Sequence, residues 1–124
     1  MSTLVRGARA AALRAHAPYS HFAVGAAILS RDGSVVTGAN IENVAYPLGV
    51  CAERIALLRW RALRGTPVVA IAIYTPTEQP TTPCGLCRDA LVRWAPGARV
   101  LLVWKTGECG PVSVLDLLPD GVRR

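Results

Sequence analysis

Two short runs, PVVAIAIY (67–74) and ARVLLVW (98–104), constrain this chain most. The first is continuously apolar and rich in β-branched residues, and the second is nearly as apolar. A half-exposed strand alternates polar and apolar residues; a strand buried on both faces does not. Between them lies CGLCRDALVRW (84–94), read as a helix that ends before Pro96-Gly97. Buried strands separated by helices imply right-handed crossovers and layers that cover both faces of a sheet. The expectation is an α/β chain, a three-layer α/β/α sandwich around a mixed sheet of the five-stranded type.

The remaining segments fit that plan. A first helix is predicted over 3–16, stopping before Pro18, because Leu4, Ala8, Ala11 and Ala12 share a helical face. HFAVGAAILSRDGSVVTGANI reads as a hairpin, with strands over 22–29 and 34–39 and a turn at Asp32-Gly33. CAERIALLRWRAL (51–63) reads as a helix burying Ile55, Leu58 and Ala62. KTGECGPV reads as a turn after the last strand, and VSVLDLL as a short helix opened by Ser113.

A chain of 124 residues is expected to form a single domain, 1–124, with one core. Hydrophobic residues make up 52% and charged ones 18%, which excludes a disordered chain. The opening MSTLVRGARAAALRAHAP is too interrupted by Arg for an export signal or a membrane span. The cytoplasm is therefore the expected location. The formal charge of +6 raises the question of nucleic acid. The arginines are scattered, no basic run exceeds two residues, and no aromatics alternate with them, so no nucleic-acid or membrane partner is expected.

In a reducing compartment four cysteines are ligands, catalysts or core residues before they are disulfides. CxxC at Cys84 and Cys87 is compatible with a redox pair, half of a structural zinc site, or part of a catalytic centre. Cys51 opens one predicted helix, and Cys84 and Cys87 open another. Helix N-termini favour anions, and thiolates are what metals bind. Arg54 and Arg88 stand beside these cysteines and would offset their charge. Three ligands with a fourth position open is the count of a catalytic zinc, whereas a closed structural site takes four. Cys109 has no spacing partner and reads as an incidental thiol. Glu53 follows Cys51 by two residues. Alone it would be a favourable dipole contact worth about 0.5 kcal/mol. Beside three converging thiols it reads as the base that takes a proton from a metal-activated water.

C-A-E-R, a gap of about thirty residues, then P-C-G-x-C-R resembles the small zinc-dependent cytidine deaminases, whose ligand set and signature are known. APYSHFAVGAAI (17–28), GANIENVAYPLGVCAER (38–54), PCGLCRDAL (83–91) and LDLLP (115–119) are similar to that family's blocks in order and spacing, over nearly the whole chain. The resemblance implies one Zn²⁺ per chain, held by Cys51, Cys84 and Cys87, with water in the fourth position. It implies Glu53 as proton shuttle, and hydrolysis of cytidine to uridine and ammonia in pyrimidine salvage. It implies that Asn40 and Glu42 grip the ribose, that Phe22 packs on the base, and that backbone groups around Ala52 read the base edge. A carboxylate at the sugar would repel phosphate, so free nucleosides fit better than nucleotides. It implies a homotetramer with sites shared between subunits, to which a mean hydropathy of +0.33 adds a modest hint.

The chain departs from the family pattern at three positions. Asp89 stands where Gln usually follows CR, Ala39 where Cys often precedes NIEN, and Val122 where many tetrameric members carry Phe. Two other readings compete with cytidine and 2′-deoxycytidine deamination. One is a deaminase of a modified cytosine or an aminopyrimidine nucleoside antibiotic, which NIEN disfavours. The other is a structural zinc or nucleic-acid-binding module, against which Glu53 and the three-ligand count speak.

Overall fold

Leu4, Ala8, Ala11 and Ala12 recur at helical spacing, and all four are buried in α1 (Ser2–Ala12) together with Val5. The computed structural model describes residues 2–18, 23–40, 52–63, 66–78, 93, 95 and 97–113, with the side chains of 2, 53, 109, 112 and 113 excepted. The helix ends earlier than the predicted 16. Leu13, Arg14 and Ala15 donate to carbonyls three residues back, the tightened bonds of a closing helix. The His16 N–H then leaves the helical path to bond the Asn40 carbonyl at 3.0 Å.

Five strands follow: β1 (Gly25–Ser30), β2 (Val35–Ala39), β3 (Val68–Tyr74), β4 (Arg99–Val103) and β5 (Glu108–Ser113). Their order in the sheet is β2-β1-β3-β4-β5. β3 and β4 are parallel and every other pair is antiparallel, so the sheet is mixed as expected. The β1–β2 hairpin turns at Asp32-Gly33, as read. Asp32 Oδ1 accepts from the Ser34 N–H at 2.9 Å, and Gly33 takes the left-handed φ of +90°.

α1 covers one face, packing Leu4, Val5 and Ala8 on Ala27, Ala70, Ala72, Leu101 and Val103. α2 (Ala52–Leu63) covers the other, with Ala52, Ala56, Leu57 and Trp60 against Ala26, Ile28, Val36, Ile71, Ile73, Val100 and Leu102. Helices on both faces of one mixed sheet make three layers. Residues 70–73 are buried whichever face they point to, as their continuous apolar run requires.

Two expectations are corrected. The buried face of α2 is not Ile55, Leu58 and Ala62: Ile55 is half-buried, Ala62 is exposed, and Leu58 is 50% exposed. The helix turns Ala52, Ala56, Leu57 and Trp60 inward; at its start its backbone lies almost on β2, where side chains larger than alanine would not fit. The second correction concerns 108–113, read as a turn and the start of a helix. These residues form the edge strand β5, and Val112 and Ser113 pair with Val100 and Arg99. Gly110 and Pro111 fall where the register shifts between Val100 and Leu102. Proline cannot donate to a ladder, so a bulge on an edge strand is where it is tolerated. The predicted helix over 84–94 lies outside the described residues except for Arg93, which is helical. Residues from 114 onward also lie outside them.

Candidate active site

Ala39, Gly25, Tyr74, Val103 and Glu108 form one row across the sheet, from β2 to β5. This row ends the strands on one side. β3 and β4, the parallel pair, both finish there, and ligands in α/β sheets bind outside the carboxyl ends of such strands. Three features meet at this end: Asn40, the start of α2, and the exit of β3.

Asn40 is the first residue beyond β2. Its side-chain oxygen accepts the Val24 N–H at 2.9 Å. Its own N–H donates to the Val24 carbonyl at 3.2 Å, and its carbonyl accepts from His16. The side chain is thus pinned by the strand beside it. A backbone N–H can only be met by the amide oxygen, so this bond also fixes which way the amide faces, with its nitrogen as donor.

α2 begins at Ala52, which is fully buried. Cys51 immediately precedes it, Glu53 is its second residue, and Arg54 is half-buried. The first N–H groups of a helix have no partner within it and carry its positive end, a suitable setting for thiolates. At the same end β3 leaves the sheet. Its exit is tied down: the Thr75 N–H donates to the Val103 carbonyl at 2.9 Å, and the Lys105 N–H donates to the Thr77 carbonyl at 3.0 Å.

Of the sequence candidates, the structure places Asn40, Ala52, Arg54 and the backbone of Glu53. Phe22, Glu42, Cys51, Cys84, Cys87 and Arg88 lie outside the described residues, as do Asp89 and Val122. Among the described residues no group of three His, Cys, Asp or Glu side chains could hold a metal. Cys109 lies on β5, where its backbone pairs with Leu102 of β4. Strand β5 is four spacings from β2, roughly 19 Å at the usual separation. Two residues that shape this end were missed by the sequence reading. Val24 pins Asn40, a long-range bond with no local signature. Gly38 lies inside a strand, and an interior strand glycine is itself a signal of close backbone approach.

The fold and this end of the sheet define a class: an α/β/α protein in which the second helix starts, and the parallel strands finish, at one end of a mixed sheet. Within that class, the family model for the cytidine and deoxycytidylate deaminase zinc-binding region matches residues 1–103. A cytidine deaminase of Halalkalibacterium halodurans is 44% identical over 94% of this chain and 89% of its own length. The crystal structure of cytidine deaminase from Burkholderia pseudomallei superposes with a TM-score of 0.91 at 42% identity, covering 96% of both chains. That from Mycobacterium tuberculosis gives 0.81 at 39% identity, covering 96% of this chain and 94% of its own. The chain belongs to the cytidine and deoxycytidylate deaminase family.

The Asn40 bond to Val24 can be separated from any role of its amide nitrogen. Asn40→Ala should lose about 1 kcal/mol in urea unfolding, because the Val24 N–H loses its partner. Asn40→Asp keeps an acceptor there and should lose much less. Equal losses for both variants would show that the bond contributes nothing.

Proposed function

We propose that this protein is a zinc-dependent hydrolase that converts cytidine and 2′-deoxycytidine to uridine and 2′-deoxyuridine, releasing ammonia. The observation that carries the reading is the near full-length match to proteins named cytidine deaminase, on a fold whose parallel strand ends and second helix start lie at one end of the sheet. All of 1–124 is read as one deaminase domain. The reading places the protein in pyrimidine salvage, in the cytoplasm. No helix among the described residues is long and apolar enough to cross a membrane.

The donor set fits zinc. Three cysteines supply soft thiolates, and Cys51 stands directly before the first residue of α2, where the helix favours negative charge. Zinc would be held by Cys51, Cys84 and Cys87, and when bound it would lower the pKa of a water toward ~7. Cys109, on the far edge strand, is left out of the set.

The chain's own residues do the rest. Glu53 takes a proton from the attacking water as the C4–O bond forms and delivers it to N3 of the pyrimidine. It then takes the remaining proton of the new C4 hydroxyl and passes it to the amine, the C4–N4 bond breaks, and ammonia leaves as the C4 carbonyl of uridine forms. A single carboxylate thus serves as base and then as acid. Asn40, with its oxygen held by Val24, offers its amide nitrogen to a sugar hydroxyl, and Glu42 accepts from another. Phe22 packs on the base, and the backbone at Ala52 reads its edge. Arg54 and Arg88 offset the charge of the thiolates. Glu42 disfavours a phosphate, so the substrate is a nucleoside and no nucleic acid is bound.

The protein acts as a homotetramer with sites shared between subunits. Apolar surface on α2 supports association, since Leu58 and Leu63 are 50% and 64% exposed. Light scattering at micromolar concentration should give four chains, and a fully active monomer would overturn this part.

Glu53→Gln should keep fold and zinc while turnover falls at least ~10²–10⁴-fold, the usual contribution of a general base. Retention of most activity would remove Glu53 from the mechanism. Elemental analysis should find about one zinc per chain in the wild type and in Cys109→Ser, and little in Cys84→Ser. Zinc lost with Cys109 would instead indicate a closed four-thiolate site.

A further inference from the structure

β2 meets α2 with no side chain between them. A Cβ placed on Gly38 would lie 2.5 Å from the Ala56 nitrogen, 2.7 Å from the Ala52 carbonyl oxygen and 3.0 Å from the Ala56 Cα. These are backbone atoms of the helix's first turns, so they cannot swing aside as a side-chain end would. Ala52 and Ala56 are themselves fully buried. One turn further on, the Arg59 guanidinium donates to the Thr37 carbonyl, next to Gly38 in β2. The helix is therefore held against this strand at consecutive turns.

The position of that contact gives it a consequence for the reaction. Gly38 lies two residues before Asn40, whose backbone and side chain are pinned to Val24. Ala52 directly follows Cys51 and directly precedes Glu53. The contact thus sets the distance between the strand end that carries Asn40 and the helix start that carries a zinc ligand and the proton shuttle. We propose that Gly38 is a positioning residue for the deamination: its missing side chain sets the spacing between the sugar-binding end of β2 and the first turn of α2. This rests on the functional reading above. Any larger residue must lift α2 from β2. The sugar would still be gripped at Asn40, while the proton shuttle and one zinc ligand would be displaced from the base. Reaction rates are far more sensitive to such a shift than binding is, and a misplacement of ~1 Å can lower a rate about 10²-fold.

A second glycine makes a matched comparison. Gly25 on β1 lies against α1 in the same manner, its added Cβ meeting the Ala8 carbonyl oxygen and the Ala12 nitrogen. α1 carries none of the candidate site residues. Gly25→Ala and Gly38→Ala both force a helix off the sheet, but only the second moves a helix that bears the chemistry.

The test measures kcat, KM for cytidine and the rate of zinc release to a chelator in both variants, at a temperature where circular dichroism shows each folded. Gly38→Ala should lose about 10²-fold in kcat, with KM changed less than about threefold. Its zinc release should be faster than that of the wild type. Gly25→Ala should melt at lower temperature and, because Gly25 pairs with Ala39 and adjoins the Val24 that pins Asn40, should raise KM for cytidine, yet keep zinc release within about twofold of wild type. If Gly38→Ala does not fold, Ala56→Ser enlarges the same contact from the helix side and should show the same split. Wild-type kcat and zinc release in the folded Gly38 variant, or in Ala56→Ser where that variant stands in, would overturn the proposal. So would the same split in Gly25→Ala. A wild-type protein that neither holds zinc nor deaminates cytidine would bring down the functional reading and this inference with it. A normal wild type beside an unchanged Gly38→Ala removes this inference alone.

Discussion

The approach of α2 to β2 governs everything at the carboxyl end of this sheet. A helix normally packs on a sheet through a layer of side chains that can be exchanged for others of similar volume. Here Gly38 brings strand and helix backbone into contact, and Ala52 and Ala56 keep the helix side equally bare. Such a contact has little freedom to slide. The bulky part of the core is displaced along the helix to Leu57 and Trp60, which pack on Ile28, Ile71 and Val100. Rigidity near the site and hydrophobic stabilisation away from it are thereby divided between successive turns of one helix.

That division explains where the sequence could be read and where it could not. The strands were legible over 70–73 and 100–103 because burial on both faces leaves only apolar residues there. The face of α1 was legible because its alanines and Leu4 follow a regular helical period. On α2 the same reasoning chose Ile55, Leu58 and Ala62, since large apolar residues ordinarily face inward. At its start the helix instead buries Ala52 and Ala56, because the partner there is backbone, and its large buried residues are Leu57 and Trp60. Periodicity reports which residues share a face; it does not report how near the next layer lies. β5 escaped for a different reason. Gly110-Pro111 is a turn signal in most contexts, and only the register shift against β4 accommodates it in a strand.

The candidate site was legible as a set of residue types more than as an arrangement. Three cysteines at two predicted helix starts and a glutamate two residues on define donor chemistry without coordinates. Asn40 was singled out as a sugar contact. The structure gives it a structural part as well: its oxygen is committed to Val24, and its amide is oriented by that bond. Residues 24 and 40 are joined across a hairpin, so no local pattern marks the pair. Gly38 carried a faint signal, a glycine where a strand interior prefers β-branched residues.

The central claim is that this sheet end serves a zinc-dependent hydrolysis of a free nucleoside. The most direct measurement follows uridine and ammonia together as purified protein acts on cytidine, before metal removal, after it, and after zinc is returned. The account predicts equal amounts of both products, their loss from the stripped protein, and their recovery with zinc alone. Stripped protein as active as the loaded form, or zinc-loaded protein that releases no ammonia from cytidine, would contradict it.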